Sequence, residues 1–185
     1  MEVDFIDENN GPGSPSVAEY DLDYVIGSIH FIPNQKGEYH DIDGSPERFR
    51  KYLHEFFEDD IEYVAATYWR QMQRMIKVGG FDIVGHIDKV ILNASFAAPG
   101  IEKSGFYKEL AEESIEMAIR SGKSIEINTK HYNKYGRFFP DPCYWPRILN
   151  AGVEMPVNTD THYAGLVDSG MEEAFRELSR IKSGL

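Results

Sequence analysis

Short runs of alternating or continuous apolar residues take turns with longer stretches of helical spacing along this chain. Residues 2–6 (Glu-Val-Asp-Phe-Ile) alternate polar and apolar positions as a strand does. Residues 7–19 are rich in Gly, Pro, Asn and Ser and read as a loop. Tyr24-Val25-Ile26-Gly27-Ser28-Ile29 predicts a buried strand ending at His30, and residues 33–46 predict a second loop. Ser45 ahead of Pro46 gives an N-cap followed by proline at the first helical position. The clearest helix spans about 59–77, where Ile61, Val64, Ala65, Tyr68, Met72, Met75 and Ile76 make one apolar face and Gly79-Gly80 stop it. A strand over 81–86 follows, then a helix over 104–121 with Phe106, Leu110, Ile115 and Ile119 inward. Strand 124–128, a short helix at 144–150, a weaker strand at 153–158 and a helix over 171–182 complete the pattern.

The order β–loop–β–α–α–β–α–β–α–β–α, with connections long enough for crossovers rather than hairpins, predicts an α/β fold with a parallel sheet. Catalytic groups in such folds gather at the carboxyl ends of the strands. His30, His86, Asp160 and His162 all fall there.

Composition narrows the function. The chain has 185 residues, 42% apolar and 27% charged, enough for one packed domain over 1–185. Its formal charge of −12 disfavours nucleic acid as a partner, since phosphate backbones need a surplus of Lys and Arg. A phosphorylated small substrate stays open, because bound metal ions add positive charge. No apolar run approaches the roughly 20 residues of a membrane span. One cysteine, Cys143, excludes an internal disulfide framework and fits a reducing, cytoplasmic setting.

Glu2, His30, His86, Asp160 and His162 are donors suited to Zn, Mn or Fe. Asp160 and His162, two apart, share a side in an extended segment. Each histidine alone reads more readily as a packed or surface residue than as a ligand, and Thr-Asp-Thr-His alone is also compatible with a turn. Lys130, His131, Lys134 and Arg137 occupy the loop after strand 124–128, where a substrate phosphate can dock; Arg137 is the first choice for bidentate contact and Lys134 the second. Glu126 either orients a ligand histidine or binds backbone amides, and Asp88 is expected to cap the next segment.

Glu2-Val3-Asp4-Phe5-Ile6, Gly27-Ser28-Ile29-His30-Phe31, Gly85-His86-Ile87-Asp88, Glu126-Ile127-Asn128-Thr129 and Asp160-Thr161-His162 follow one another in an order that closely resembles the PHP (polymerase and histidinol phosphatase) superfamily. Asp41-Ile42-Asp43-Gly44-Ser45, between the two histidine strings, resembles its histidinol-phosphatase branch. The resemblance implies a distorted (β/α)7 TIM-like barrel with up to three metal ions. It implies that the carboxylate matching Glu2 bridges two ions, one completed by His30 and His86. Asp160 then belongs to the other ion of that pair, and His162 to a third. The implied reaction is hydrolysis of L-histidinol phosphate to L-histidinol and phosphate, in histidine biosynthesis.

Family members carry a His-x-His motif upstream of the Glu that matches Glu2, whereas this sequence begins one residue before it. The expectation is therefore a partial barrel lacking N-terminal strands, with at most one well-held metal and weak or no phosphatase activity. Exposed barrel edges would favour self-association. The alternatives are a non-catalytic remnant that binds a metal or a partner, or a PHP phosphoesterase with another substrate.

Overall fold

Alternation at the chain start, the β-branched run before His30 and the run before His86 become neighbouring strands. The structure is a computed structural model and describes residues 1–184. β1 (Glu2–Asp4), β2 (Ile26–Ser28), β5 (Ile83–Val84) and β6 (Ser124–Ile125) form one parallel sheet in that order. Glu2 pairs with Ile26 and Asp4 with Ser28, while Gly27 pairs with Val84 and Val84 with Ile125. The predicted strand 124–128 divides into β6 and β7 (Ile127–Asn128), and β7 pairs in parallel with β8 (Val157–Asn158). Successive amides in this segment alternate in direction: Glu126 N donates to Val84 O, Ile125 N to Glu154 O and Ile127 N to Pro156 O. The α/β class and the parallel sheet agree with the sequence reading.

Helices α2 (Pro46–Phe56), α3 (Ile61–Val78), α5 (Gly105–Arg120), α7 (Trp145–Asn150) and α8 (Met171–Lys182) lie close to their predicted spans. Ser45, Asp60 and Ser104 cap the first three, each accepting the amide of a residue three positions on. Two short helices, α1 (Pro15–Ala18) and α6 (Tyr132–Tyr135), sit in predicted loops. Three departures have physical causes. The loop 33–46 begins with an antiparallel hairpin of β3 (Phe31–Pro33) and β4 (Tyr39–Asp41), correcting the expectation of crossovers alone. Its turn is held by Asn34 Oδ1, which accepts the amides of Lys36 and Glu38, and by Gly37 at a φ of 82°. Helix α4 (Val90–Ala97) went unread because Val90 through Ala94 are all buried, so no period of 3.6 marks it. In α5 the deepest stripe is Tyr107, Ala111, Ser114, Ile115 and Ala118 rather than the larger Phe106, Leu110 and Ile119. Ala111, Ser114 and Ala118 are small, which lets α5 approach α3, and Ser114 Oγ accepts Gln73 Nε2 of α3 at 3.1 Å.

The main core gathers Phe5, Ile29, Phe49, Trp69, Met72 and Phe139 between the sheet and helices α2 to α5. A second cluster of Ile127, Phe138, Trp145, Ala174 and Leu178 joins β7 to α7 and α8. Asp88 is buried at the edge of the main core and accepts the amide of Asp141 at 2.8 Å, rather than capping α4. Among the described residues its Oδ1 has no hydrogen-bond partner. Among the described residues no helix is long and apolar enough to cross a membrane.

Two predictions follow from this packing. A methyl group on Gly80, whose φ is +86°, would lie 2.2 Å from Cα of Gly13. Gly80→Ala should therefore cost about 2 kcal/mol or more in denaturant unfolding, and a loss within about 0.5 kcal/mol would contradict it. Burial first, and then the Asp141 charge, push the Asp88 carboxyl up to about 7, with the Asp141 amide opposing. The folded chain thus keeps a proton that the unfolded chain releases near pH 4, so stability falls as pH rises from about 4 to about 7. Asp88→Asn should gain stability relative to the parent across that window; a difference independent of pH would refute the assignment.

Candidate metal centre

Parallel pairing in register brings β1 beside the segments that follow β2 and β5. Glu2 and Asp4 share a face of β1, as residues two apart in a strand must. His30 lies two residues past β2 and His86 two past β5. Glu2, His30 and His86 each offer a donor atom within 4.8 Å of the others. His86 Nε2 is 3.0 Å from Glu2 Oε1, and His30 Nε2 is 3.9 Å from the same oxygen. The imidazole rings meet edge to face at 4.8 Å.

The surrounding groups fix these side chains. His30 Nδ1 donates to Asp4 Oδ1 at 2.7 Å, and the His30 amide donates to the same oxygen at 3.1 Å. That contact turns the lone pair of neutral His30 Nε2 toward the cluster. The His86 amide donates to Glu126 Oε2 at 2.8 Å, holding His86 at a φ of 24°, a conformation L-residues rarely adopt. Glu126 also accepts Asn128 Nδ2 and Asn158 Nδ2, so of its two readings the amide-binding one is observed, and it positions His86 through the backbone.

Electrostatics follow from this packing. Burial alone would raise the Glu2 carboxyl, but the hydrogen bond and charge of His86, with Ser28 and His30, hold it well below the usual range. Burial and the Lys89 ammonium lower His86. Burial also pulls His30 down, and the Asp4 carboxylate outweighs it, so His30 is raised overall. Two imidazoles and an ionised carboxylate at this spacing are a fitting donor set for a divalent ion with open positions.

Asp160 and His162 stand apart from that trio. Asp160 Oδ2 accepts Lys130 Nζ at 3.0 Å and Asn128 Nδ2 at 3.3 Å, and Lys89 Nζ lies 3.9 Å away. His162 is 71% exposed, with Nδ1 4.0 Å from Asp160 Oδ1. It lines a cavity of about 420 Å³ with Lys130, Asp160, Tyr163, Leu166 and Ser169. Arg137 lines another cavity, of about 210 Å³, with Asp88, Glu102, Tyr107, Asp141 and Tyr144. Lys134 is exposed over the ring of Tyr135. Of the four loop groups, Lys130 is the one that forms an ion pair with Asp160. His131 is lowered to about 4, by burial first and then by Lys89.

Asp4, Asp43 and Lys89 were not picked out as site residues by the sequence reading. Asp4 carried a signal, since it lies two positions from Glu2 on the same strand face. Asp43 sat within the quoted Asp-Ile-Asp-Gly-Ser string, and Lys89 had no pattern to mark it.

Comparisons with known proteins bear on the family and the fold. The profile of the PHP domain family matches residues 1–130. A "Probable histidinol-phosphatase" of Deinococcus radiodurans is 23% identical over 184 residues, covering 96% of this chain and 62% of that protein. A "Probable histidinol-phosphatase" of Thermotoga maritima is 29% identical over 76 residues, which is 40% of this chain and 32% of the relative. The crystal structure of the "putative histidinol phosphatase hisK" from Listeria monocytogenes superposes with a TM-score of 0.78 at 18% identity, over 94% of this chain and 66% of that one, and so shares its fold. The chain thus spans less than two thirds of the length of these proteins. With the family profile matched over more than half its residues, and the ordered strand-end motifs in place, this chain belongs to the PHP domain family.

Proposed function

We propose that this protein hydrolyses a small phosphate monoester in a metal-dependent reaction, with L-histidinol phosphate as substrate and L-histidinol and phosphate as products. The observation that carries the reading is the grouping of Glu2, His30 and His86 at one rim of the sheet, with the Lys89 ammonium beside His30. Relatives named as histidinol phosphatases support the substrate. The parallel strands are read as part of a distorted (β/α)7 barrel, residues 1–185 as one domain, and the setting as cytoplasmic, where self-association through sheet edges remains part of the proposal.

Glu2, His30 and His86 would hold the ion, and Zn, Mn or Fe all suit such donors. A divalent ion there supplies Lewis-acid polarisation of a phosphoryl oxygen and acidifies water. Asp4 keeps His30 Nε2 aimed at the centre, and Glu126 keeps His86 in place. Lys130 neutralises the incoming phosphate, ahead of Arg137 and Lys134, because its ammonium already faces the site across Asp160. Asp160 holds that lysine, and His162 stands at the cavity where the organic part of the substrate would lie. The lysine pairing of Asp160 favours a second reading, a PHP chain that binds metal without turnover.

Chelator-stripped protein should release phosphate from L-histidinol phosphate only after a divalent ion is restored, and Glu2→Gln or His86→Ala should lower kcat/KM by about 100-fold or more. Release from other small monoesters but not from this one would overturn the substrate. Metal binding with no phosphate release from any of them would establish the second reading. Separately, Asp4→Asn should weaken metal affinity by about 10–100-fold with the fold intact, by calorimetric titration. Unchanged affinity would remove Asp4 from the site.

A further inference from the structure

Beside the Glu2, His30 and His86 donors lies a cation that belongs to the chain itself. Lys89 follows His86 by three residues and is only 5% exposed. Its Nζ is 2.9 Å from Asp43 Oδ2, 3.2 Å from His30 Nε2 and 3.9 Å from Asp160 Oδ2. These acceptors, two carboxylates and an imidazole nitrogen, are of the kinds that hold divalent ions. A buried ammonium is tolerated only where such partners compensate its lost hydration. Asp43 is itself recessed and lies 4.0 Å from His30 Nε2, so His30 is shared between the metal donors and the lysine pocket.

Resting on the metal-dependent reading above, we propose that Lys89 Nζ serves as the second cation of this centre, a tethered charge standing where a second metal ion would otherwise be held by His30, Asp43 and Asp160. A divalent ion taking His30 Nε2 competes with one of the three lysine contacts and leaves those to Asp43 and Asp160 available. The centre is then one exchangeable ion plus one fixed ammonium. Asp43 and Asp160 act as positioning residues for Lys89, and Lys130 adds a further positive charge on Asp160. A phosphate would meet positive charge from both sides of His30 without two bound ions.

The test is a count of ions, independent of turnover. The full chain, stripped by chelator, is loaded with Mn(II) or Zn(II), desalted, and its metal content measured by elemental analysis. One ion per chain is expected for the parent and for Lys89→Arg. Two are expected for Lys89→Ala or Lys89→Met, where the freed carboxylates accept a second ion. Two or more ions on the parent would overturn the proposal, whether or not the variants fold. One ion on folded Lys89→Ala and Lys89→Met would overturn it as well. No ion on the parent would instead sink the metal-dependent reading itself. Phosphatase activity with two ions on the parent would leave that reading standing and remove only the role of Lys89.

Discussion

The in-register parallel pairing of β1, β2 and β5 is the constraint on which the rim depends. Side chains alternate faces along a strand, so a slip of one residue between β1 and β2 would turn Glu2 and Asp4 to the opposite face. That slip would separate Glu2 from His86 and Asp4 from His30 at once. The register is guarded from beneath by packing. Phe5, next after β1, and Ile29, next after β2, are almost wholly buried in the same core. Gly27 leaves no room for another register, since even a methyl group there would press on Met75 and Phe81 at 3.0 Å.

The rim also solves a problem of charge. The chain is strongly acidic, and Glu2, Asp4, Asp43 and Asp160 crowd one end of the sheet. Each carboxylate is matched by a specific partner: Glu2 by His86, Asp4 by His30, Asp43 by Lys89, and Asp160 by Lys130 and Asn128. The Lys89 ammonium holds the Asp43 carboxyl well below its usual range against the opposing effect of burial. The two ammonium groups thus offset part of the negative charge that the carboxylates concentrate at this end of the sheet.

Much of this was legible in the residues. The α3 face from Ile61 to Ile76 stood out because a long amphipathic helix repeats its signal, and the caps Ser45, Asp60 and Ser104 are local chemistry. His30 and His86 were legible because each follows a strand, whereas Glu2, the first residue of β1, was marked only by the family resemblance. Helix α4 was hidden, as burial on all sides erases periodicity. The hairpin after His30 was hidden in a polar, Gly-containing stretch whose turn depends on one asparagine. Asp160 was read as a rim residue from its place after a predicted strand, yet no spacing rule could say that lysines from two other segments would lie against its carboxylate. Lys89 is a tertiary fact: its partners lie 46, 59 and 71 positions away along the chain.

Glu126 has a mechanical consequence. One oxygen of its carboxylate grips the His86 amide and the other the side chain of Asn158, the last residue of β8. The turn bearing His86 and the segment leading to Asp160 are thereby yoked through a single rigid group. Any movement of the Asn158–His162 stretch tugs on His86 too, so the cavity wall at His162 and the His86 imidazole shift together as one jaw.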